Sequence, residues 1–371
     1  MRGRKRPPDF LLFITVLMLL GIGVVMVFSA SEYTALVREY YNHDPFYFFK
    51  KQLMFAVAGL LIMGLIVKYD YWRFKKHTNK IAIAAFVLLI LVLIPGIGVV
   101  SHGARRWIGI GLWTFQPSEL VKMCLIIFTA HGLSQKGHQI KSFTRGLLPY
   151  LMMMAGASGL ILLQPDLGTA STLAGTIVFM FFAAGARLSN MAALSGAGIM
   201  AVALAIYFEP YRMKRFLAFW DPWADPQGDG FHIIQGLLAL GSGGFFGTGL
   251  GQGRHSKLLY VPEQHTDFIF AAVGEELGFI GACLVILLFG MFVWRGLKIA
   301  IDSPDPFASL TAAGLTLGIA LQAIINMGVV TGSLPVTGIT LPFISYGGTS
   351  LIFTLIGVGI ILNISRYTTS R

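Results

Sequence analysis

The sequence predicts an all-α integral membrane protein, a polytopic bundle of about ten transmembrane helices, and three observations predict it. The 371 residues are 55% hydrophobic and only 12% charged, where an ordinary soluble domain carries about a quarter charged residues. Mean hydropathy is +0.72. Ten segments each hold a mostly apolar run of about 20 residues, the length that crosses a bilayer core of roughly 30 Å.

Those runs lie at about 10–29, 48–67, 81–100, 117–134, 147–164, 169–186, 189–208, 267–294, 309–331 and 342–363. The first follows the basic stretch "RGRKRPPDF". No small-residue cleavage site with a soluble domain follows it, so a retained span is expected rather than a signal peptide. With the N-terminus in the cytoplasm, inner loops hold 17 Lys and Arg and outer loops hold ten, with Lys122 left inside a span. That asymmetry places both termini inside.

The longest loop, 209–266 between helices 7 and 8, is extracytoplasmic in this arrangement and is itself basic. It has no hydrophobic core of its own, so residues 1–371 read as a single transmembrane domain. Its stretch "FHIIQGLLALGSGGFFGTGLGQG" holds an apolar run too short to span, expected as an interfacial or re-entrant element. The glycines there are not a nucleotide loop, because no Lys-Ser/Thr pair follows them. They should let backbone approach a ligand or another loop.

The net charge of +11 would suit nucleic acid, membrane lipids or an anionic substrate. Its position on the outer side points to the last two and away from nucleic acid. Cys124 and Cys283 lie in apolar runs and read as small buried hydrophobes, with no zinc or disulfide spacing.

Five constellations carry candidate chemistry. In "GARRWIGIGLWTFQPSELVK", Pro117 and Ser118 mark a helix start, and Glu119 and Lys122 share a face and can pair. An ionisable group inside a span marks a functional path, which favours Lys122. For Arg105 and Arg106 taken alone, snorkelling at the interface is the stronger reading. In "QPDLGT", Asp166 suits a helix cap and a site role equally. Arg212, Lys214 and Arg215 form a cationic knot that fits lipid phosphates or a bidentately held diphosphate. In "TGSLPVTGITLPFISYGGTSL", Ser345 and its small neighbours suit helix packing or a cavity lining. In "PEQHTDFIF", Thr266 reads as an N-cap and Asp267 as a first-turn residue. Asp267 stands out in a chain that otherwise keeps carboxylates away from its apolar segments.

Taken together and in order, "GARRWI", "QPSEL", "QPDLGT", "DPWADPQGDGFHIIQ", "ALGSGGFFGTGLGQG", "PEQHTDFIFAAVGEELGFIG" and "GSLPVTGITLPFISYGGTS" resemble the SEDS family (shape, elongation, division and sporulation). The likeness covers nearly the whole chain. "LIPGIGVV", "DYW", "LGQGR" and "LNISRY" are most similar to its spore-cortex and division branches, SpoVE and FtsW, then to the elongation branch, RodA.

The resemblance implies a ten-helix peptidoglycan glycosyltransferase of the bacterial cytoplasmic membrane that polymerises lipid II on its outer face. It implies a class B penicillin-binding protein, a transpeptidase, as partner. It implies Asp267 as the essential residue of the "TDFIF" string. An inverting transfer from an α-linked diphosphate donor then needs one carboxylate base and a stabilised leaving group. Arg105 or Arg106, Lys122, Arg212 and Arg215 would offset charge on the diphosphate, with or without a divalent cation, Mg or Mn. Lys122 would pair with Asp267, and Glu119 would orient Lys122. Asp166 and Gln235 would contact substrate. The rival functions are a lipid II flippase or other transporter, and a non-catalytic scaffold for the penicillin-binding protein.

Overall fold

The computed structural model describes residues 6–101, 104–110, 113–254 and 264–368. Among them a helical bundle forms, and each of the ten expected spans corresponds to a helix. These are α1 (Phe10–Val37), α2 (Tyr47–Lys68), α3 (Trp72–Leu93), α4 (Pro117–Lys136), α5 (Leu148–Leu162), α6 (Leu167–Ala183) and α7 (Leu188–Tyr207). After the long loop come α10 (Ile269–Ile301), α11 (Pro306–Val330) and α12 (Gly348–Ser365). Eight stretches are long and apolar enough to cross a membrane by length and composition alone. The other two are α6, which has only 17 residues, and α4, which carries Glu119 and Lys122 in its first two turns.

Helix starts follow from local chemistry. Asp9 caps α1 by accepting from Leu12 N at 2.8 Å, and Pro stands at the first turn of α4, α5 and α11, where its missing N–H costs nothing. The long loop holds two short helices, α8 (Pro210–Trp220) and α9 (Phe231–Ser242).

Two spans are displaced from their expected positions. α3 begins at Trp72, well before 81, because Lys75, Lys76 and Lys80 occupy its polar first turns. The apolar run 94–100 that seemed to extend the span leaves the helix at Pro95 and Gly96 (φ 92°). It leads into a small antiparallel sheet, β1 (Gly98–Ser101), β2 (Ala104–Ile110) and β3 (Trp113–Phe115), in sequence order. α12 begins at Gly348 rather than 342, since Phe343 sits at φ 66°, a conformation no helix contains.

The centre of the bundle is α12, with 72% of its apolar window buried, against 6% for the peripheral α7. α12 packs on α2, α11 and α4, and α11 packs on α4, α6 and α10. At one end, Arg6 N donates to Arg366 O at 3.0 Å and Asp9 pairs with Arg295, so the chain's two ends lie together. The starts of α4, α6, α10 and α12 gather at the opposite end with α8 and α9.

α10 contains a break at Gly278 (φ 68°, ψ −168°). There the glycine-rich segment after α9 replaces the interrupted helical bonds. Thr248 N and Gly249 N donate to Glu275 O and Glu276 O, while Phe279 N and Ile280 N donate to Gly244 O and Phe245 O. The approach is close: a Cβ on Gly243 would lie 1.9 Å from Gly274 O, and one on Gly247 2.1 Å from Glu276 O. The glycines therefore serve contact with another backbone segment, one of the two uses their sequence suggested.

Candidate active site

Asp267 lies in a turn, 264–268, whose backbone is fastened residue by residue. Gln264 Nε2 donates to Ala30 O of α1 at 2.6 Å. Tyr346 N donates to His265 O at 2.8 Å, Ser345 Oγ to Thr266 O at 2.6 Å, and Asn326 Nδ2 to Asp267 O at 2.7 Å. Phe268 packs its ring beside His232 of α9, with centroids 5.9 Å apart. The helix itself begins at Ile269, and Phe268 takes the cap position without a side-chain cap bond. The expectation that Thr266 caps α10 and that Asp267 sits in its first turn is thus corrected. Thr266 O is engaged by Ser345, and Asp267 precedes the helix.

Facing this turn is the extended segment 335–341 between α11 and α12. Its Gly338 (φ 72°) stands against the Asp267 carboxylate, where a Cβ would lie 3.4 Å from Oδ2. Several of the sequence-predicted residues converge on this same segment. Lys122 Nζ is held by Glu119 Oε1 at 2.8 Å and by Gln322 Oε1 at 2.8 Å, and Gln322 Nε2 donates on to Thr340 O at 3.0 Å. Glu119 Oε2 accepts from Ser350 Oγ at 3.1 Å. The expected Glu119–Lys122 pair is present, but the expected Lys122–Asp267 pair is not: Lys122 is taken up by Glu119 and Gln322, and Gln322 links it to Thr340 on the 335–341 segment. Glu119, Lys122 and Gln322 also line a small cavity of about 50 Å³ between α4, α6, α11 and α12.

Asp166 caps α6, accepting from Thr169 N and Thr169 Oγ1, both at 2.9 Å. The cap half of its two sequence readings is therefore present. Gly168, two residues on, packs on Ile339 and Thr337, which seats the start of α6 on the 335–341 segment. Arg106 on β2 braces the preceding turn, donating from Nε to Gln164 O at 2.9 Å and from Nη2 to Pro165 O. The side chain of its neighbour Arg105 makes no hydrogen bond or ion pair among the described residues. The two sequence-equivalent arginines are thereby separated: Arg106 is spent on backbone, and Arg105 is available.

On α8, Arg215 lies over the Tyr211 ring at 4.4 Å and reaches Val336 O at 3.5 Å. Arg212 points elsewhere, to Ala205 O at 3.1 Å and Leu162 O at 3.5 Å, the ends of α7 and α5. Lys214 is exposed. Ser345 is buried, receives Leu341 N at 2.7 Å while donating to Thr266 O, and so ties the two site segments together rather than lining a cavity. Gln235 is half-buried on α9, beside Gly236, which packs on the Phe268 ring.

Sequence reasoning missed four residues. Gln322 and Asn326 are polar, four apart on one face of an apolar span, and that pattern could have found them. Glu275 and Glu276 lie inside α10 at 0% and 1% exposure, so the chain does place carboxylates within an apolar segment. Glu276 Oε2 accepts from Ser29 Oγ and from Gly251 N, anchoring the glycine-rich loop. Among the described residues no group of three or more His, Cys, Asp or Glu could hold a metal ion.

Residues 10–370 match the FtsW/RodA/SpoVE family, described as cell cycle protein. The chain is 48% identical over 368 residues to stage V sporulation protein E of Bacillus subtilis (strain 168), covering 99% of this chain and 100% of that one. It is 42% identical over 357 residues to the probable peptidoglycan glycosyltransferase FtsW of Geobacter sp. (strain M18), covering 96% of each. A solved structure concerning the coordination of polymerization and crosslinking by a peptidoglycan synthase complex superimposes with a TM-score of 0.79 at 31% identity, covering 97% of this chain and 98% of that one. The rod shape determining protein RodA of Thermus thermophilus gives a TM-score of 0.72 at 28% identity over 98% of both chains.

Proposed function

The chain belongs to the FtsW/RodA/SpoVE family and is a peptidoglycan glycosyltransferase, and from that premise we propose that it is an inverting polymerase with Asp267 as its general base. The donor is a glycan chain on undecaprenyl diphosphate and the acceptor is the sugar hydroxyl of lipid II. The Asp267 carboxylate takes the acceptor's proton as the hydroxyl oxygen bonds to the anomeric carbon. The bond from that carbon to the diphosphate oxygen breaks, and undecaprenyl diphosphate leaves with the electron pair. The carrying observation is the clamped turn 264–268, in which the carbonyls of His265, Thr266 and Asp267 are each held, with the Asp267 carboxylate set beside the bare Cα of Gly338.

Charge on the leaving diphosphate falls to Arg105 and Arg215, with Lys122 supplying positive potential from within the bundle. Arg106, Arg212, Asp166 and Ser345 act by holding the backbone that shapes the site, and Glu119 acts by holding Lys122. Gln235 lies on the helix that roofs Phe268 and is assigned to substrate contact from that side. Were Mg²⁺ or Mn²⁺ to act with the bound diphosphate, Asp267 is the residue of this chain that would hold it. Its chemistry there would be charge neutralisation.

The end of the bundle carrying Asp267 faces outward, and both termini face the cytoplasm. This reading rests on the Lys and Arg asymmetry of the loops and on the adjacency of the two chain ends. A class B penicillin-binding protein cross-links the strands this enzyme makes.

The test is polymerisation of lipid II in detergent by the purified chain, with its transpeptidase partner carrying a dead cross-linking site, and glycan length read on a gel. Wild type yields polymer and Asp267→Asn yields none. Equal polymer from both rejects Asp267 as base. No polymer under any pairing rejects the polymerase, and lipid II translocation in sealed vesicles then tests transport.

A further inference from the structure

We propose that Asn326 is the positioning residue of this site, holding the Asp267 carboxylate in its reactive placement; the proposal rests on the reading of Asp267 as base. Asn326 lies on α11 at 1% exposure, in a span whose other contacts are largely apolar. A buried amide there costs free energy unless both its N–H groups find acceptors. Both do: Nδ2 donates to Asp267 O and to Ile339 O, each at 2.7 Å.

Those two carbonyls belong to the two irregular segments that make the site, the turn 264–268 and the stretch 335–341. Neither has a helical bond pattern to fix its peptide planes. Ser345 also links them, but it lies in the turn that directly continues the second segment and moves with it. Asn326 is borne by a helix, so it fixes both segments to the rigid bundle. The distance between the Asp267 peptide and the Gly338–Ile339 peptide is set by one planar NH₂ group. If that group is lost, the Asp267 peptide loses its tie to α11 and its carboxylate shifts relative to the notch at Gly338. A displacement of about 1 Å at a reacting group costs on the order of a hundredfold in rate.

The competing explanation is that Asn326 only stabilises the fold. The chain supplies a matched control. Asn363, on α12 at the opposite end, is equally buried and donates from Nδ2 to Val67 O at 2.8 Å and Tyr69 O at 2.7 Å. It lies at the other end of the bundle from Asp267 and joins the end of α2 to the start of α3, its Oδ1 accepting from Tyr71 N at 3.1 Å.

The experiment measures initial polymerisation rate against lipid II concentration for the full chain with its partner, normalised to the folded fraction, with Tm measured in parallel. Asn326→Leu and Asn326→Asp remove both donors while keeping the branched shape of the side chain. Asn326→Ser keeps one donor and retains folding if the larger changes do not. The expected result is a kcat reduced at least about tenfold per folded molecule for all three, with KM for lipid II within about twofold and an altered acidic limb of the pH–rate profile. Asn363→Leu and Asn363→Asp should lower Tm and leave kcat and the pH profile of the folded fraction unchanged. The proposal is overturned if folded Asn326 variants keep wild-type kcat and pH profile, or if the Asn363 variants lose kcat to the same degree. Asp267→Asn, run alongside, separates the two ideas. Should it polymerise like wild type, the base assignment itself fails; should it be inactive while Asn326 variants are fully active, only the positioning role fails.

Discussion

Gly338 stands against the carboxylate of Asp267, with the space for a Cβ lying 3.4 Å from Oδ2 and the backbone at φ 72°. A side chain there would meet two obstacles of different kinds. The left-handed backbone conformation costs an L-residue about 1 kcal/mol or somewhat more, and the added carbons cover the base. Gly338→Ala should therefore lower Tm modestly and slow polymerisation. Gly338→Val should abolish polymerisation in protein that still elutes as a monodisperse peak. Full activity in Gly338→Val would show that substrate does not approach Asp267 from this side.

The Glu119–Lys122 pair invites separation of stability from function. The two side chains are 8% and 14% exposed, so removing one partner strands a buried charge, at a cost of about 3–5 kcal/mol. Lys122→Met alone should lower Tm strongly, and Glu119→Gln alone likewise. The double variant Glu119→Gln/Lys122→Met removes both charges and should recover most of the lost Tm. It should remain inactive as a polymerase if Lys122 supplies potential to the leaving diphosphate. Recovery of both Tm and activity in the double variant would make the pair purely structural.

Adjacent arginines on β2 should part ways. Arg106 braces Gln164 O and Pro165 O, and its loss frees two carbonyls of the turn leading into α6. Arg106→Ala should lower Tm, with polymerisation per folded molecule reduced far less. Arg105→Ala should leave Tm within about a degree and raise KM for lipid II, the signature of a lost contact to a charged ligand. Melting curves beside the polymer gel check both, and the reverse pattern would exchange the two roles.

These contrasts show where sequence reasoning reached and where it stopped. Spans of continuous apolar composition were legible almost to the residue, as in α2 (Tyr47–Lys68) and α7 (Leu188–Tyr207). α3 was misplaced because hydropathy registers neither its Lys-rich first turns as helix nor the β-branched "GVV" after Pro95 as strand. Asp267 was legible as a motif residue and Lys122 as a charge inside a span. Whether an arginine is spent on a backbone carbonyl or left available depends on tertiary acceptors that no local pattern encodes, so Arg105 and Arg106 could not be separated. Gln322 and Asn326 were passed over because they carry no charge, although in an apolar span an amide is nearly as much in need of partners.

Divalent cations should bind the substrate complex and not the free chain. No cluster of three or more ligating side chains exists among the described residues, so Asp267 alone cannot complete a coordination shell. A preformed site with a dissociation constant near 10 μM would add about 2.7 kcal/mol at 1 mM metal, a hundredfold excess. That would raise Tm by a few degrees in a chain of this length. Substrate-free protein should show no such rise with Mg²⁺ or Mn²⁺ and no fall with EDTA. Undecaprenyl diphosphate should raise Tm, and metal should then raise it further by bridging diphosphate and carboxylate. Asp267→Asn should keep the lipid's own effect and lose the additional effect of the metal. A metal-dependent rise in the free chain would instead place a cation site on protein ligands alone, and the leaving group would then meet a resident ion.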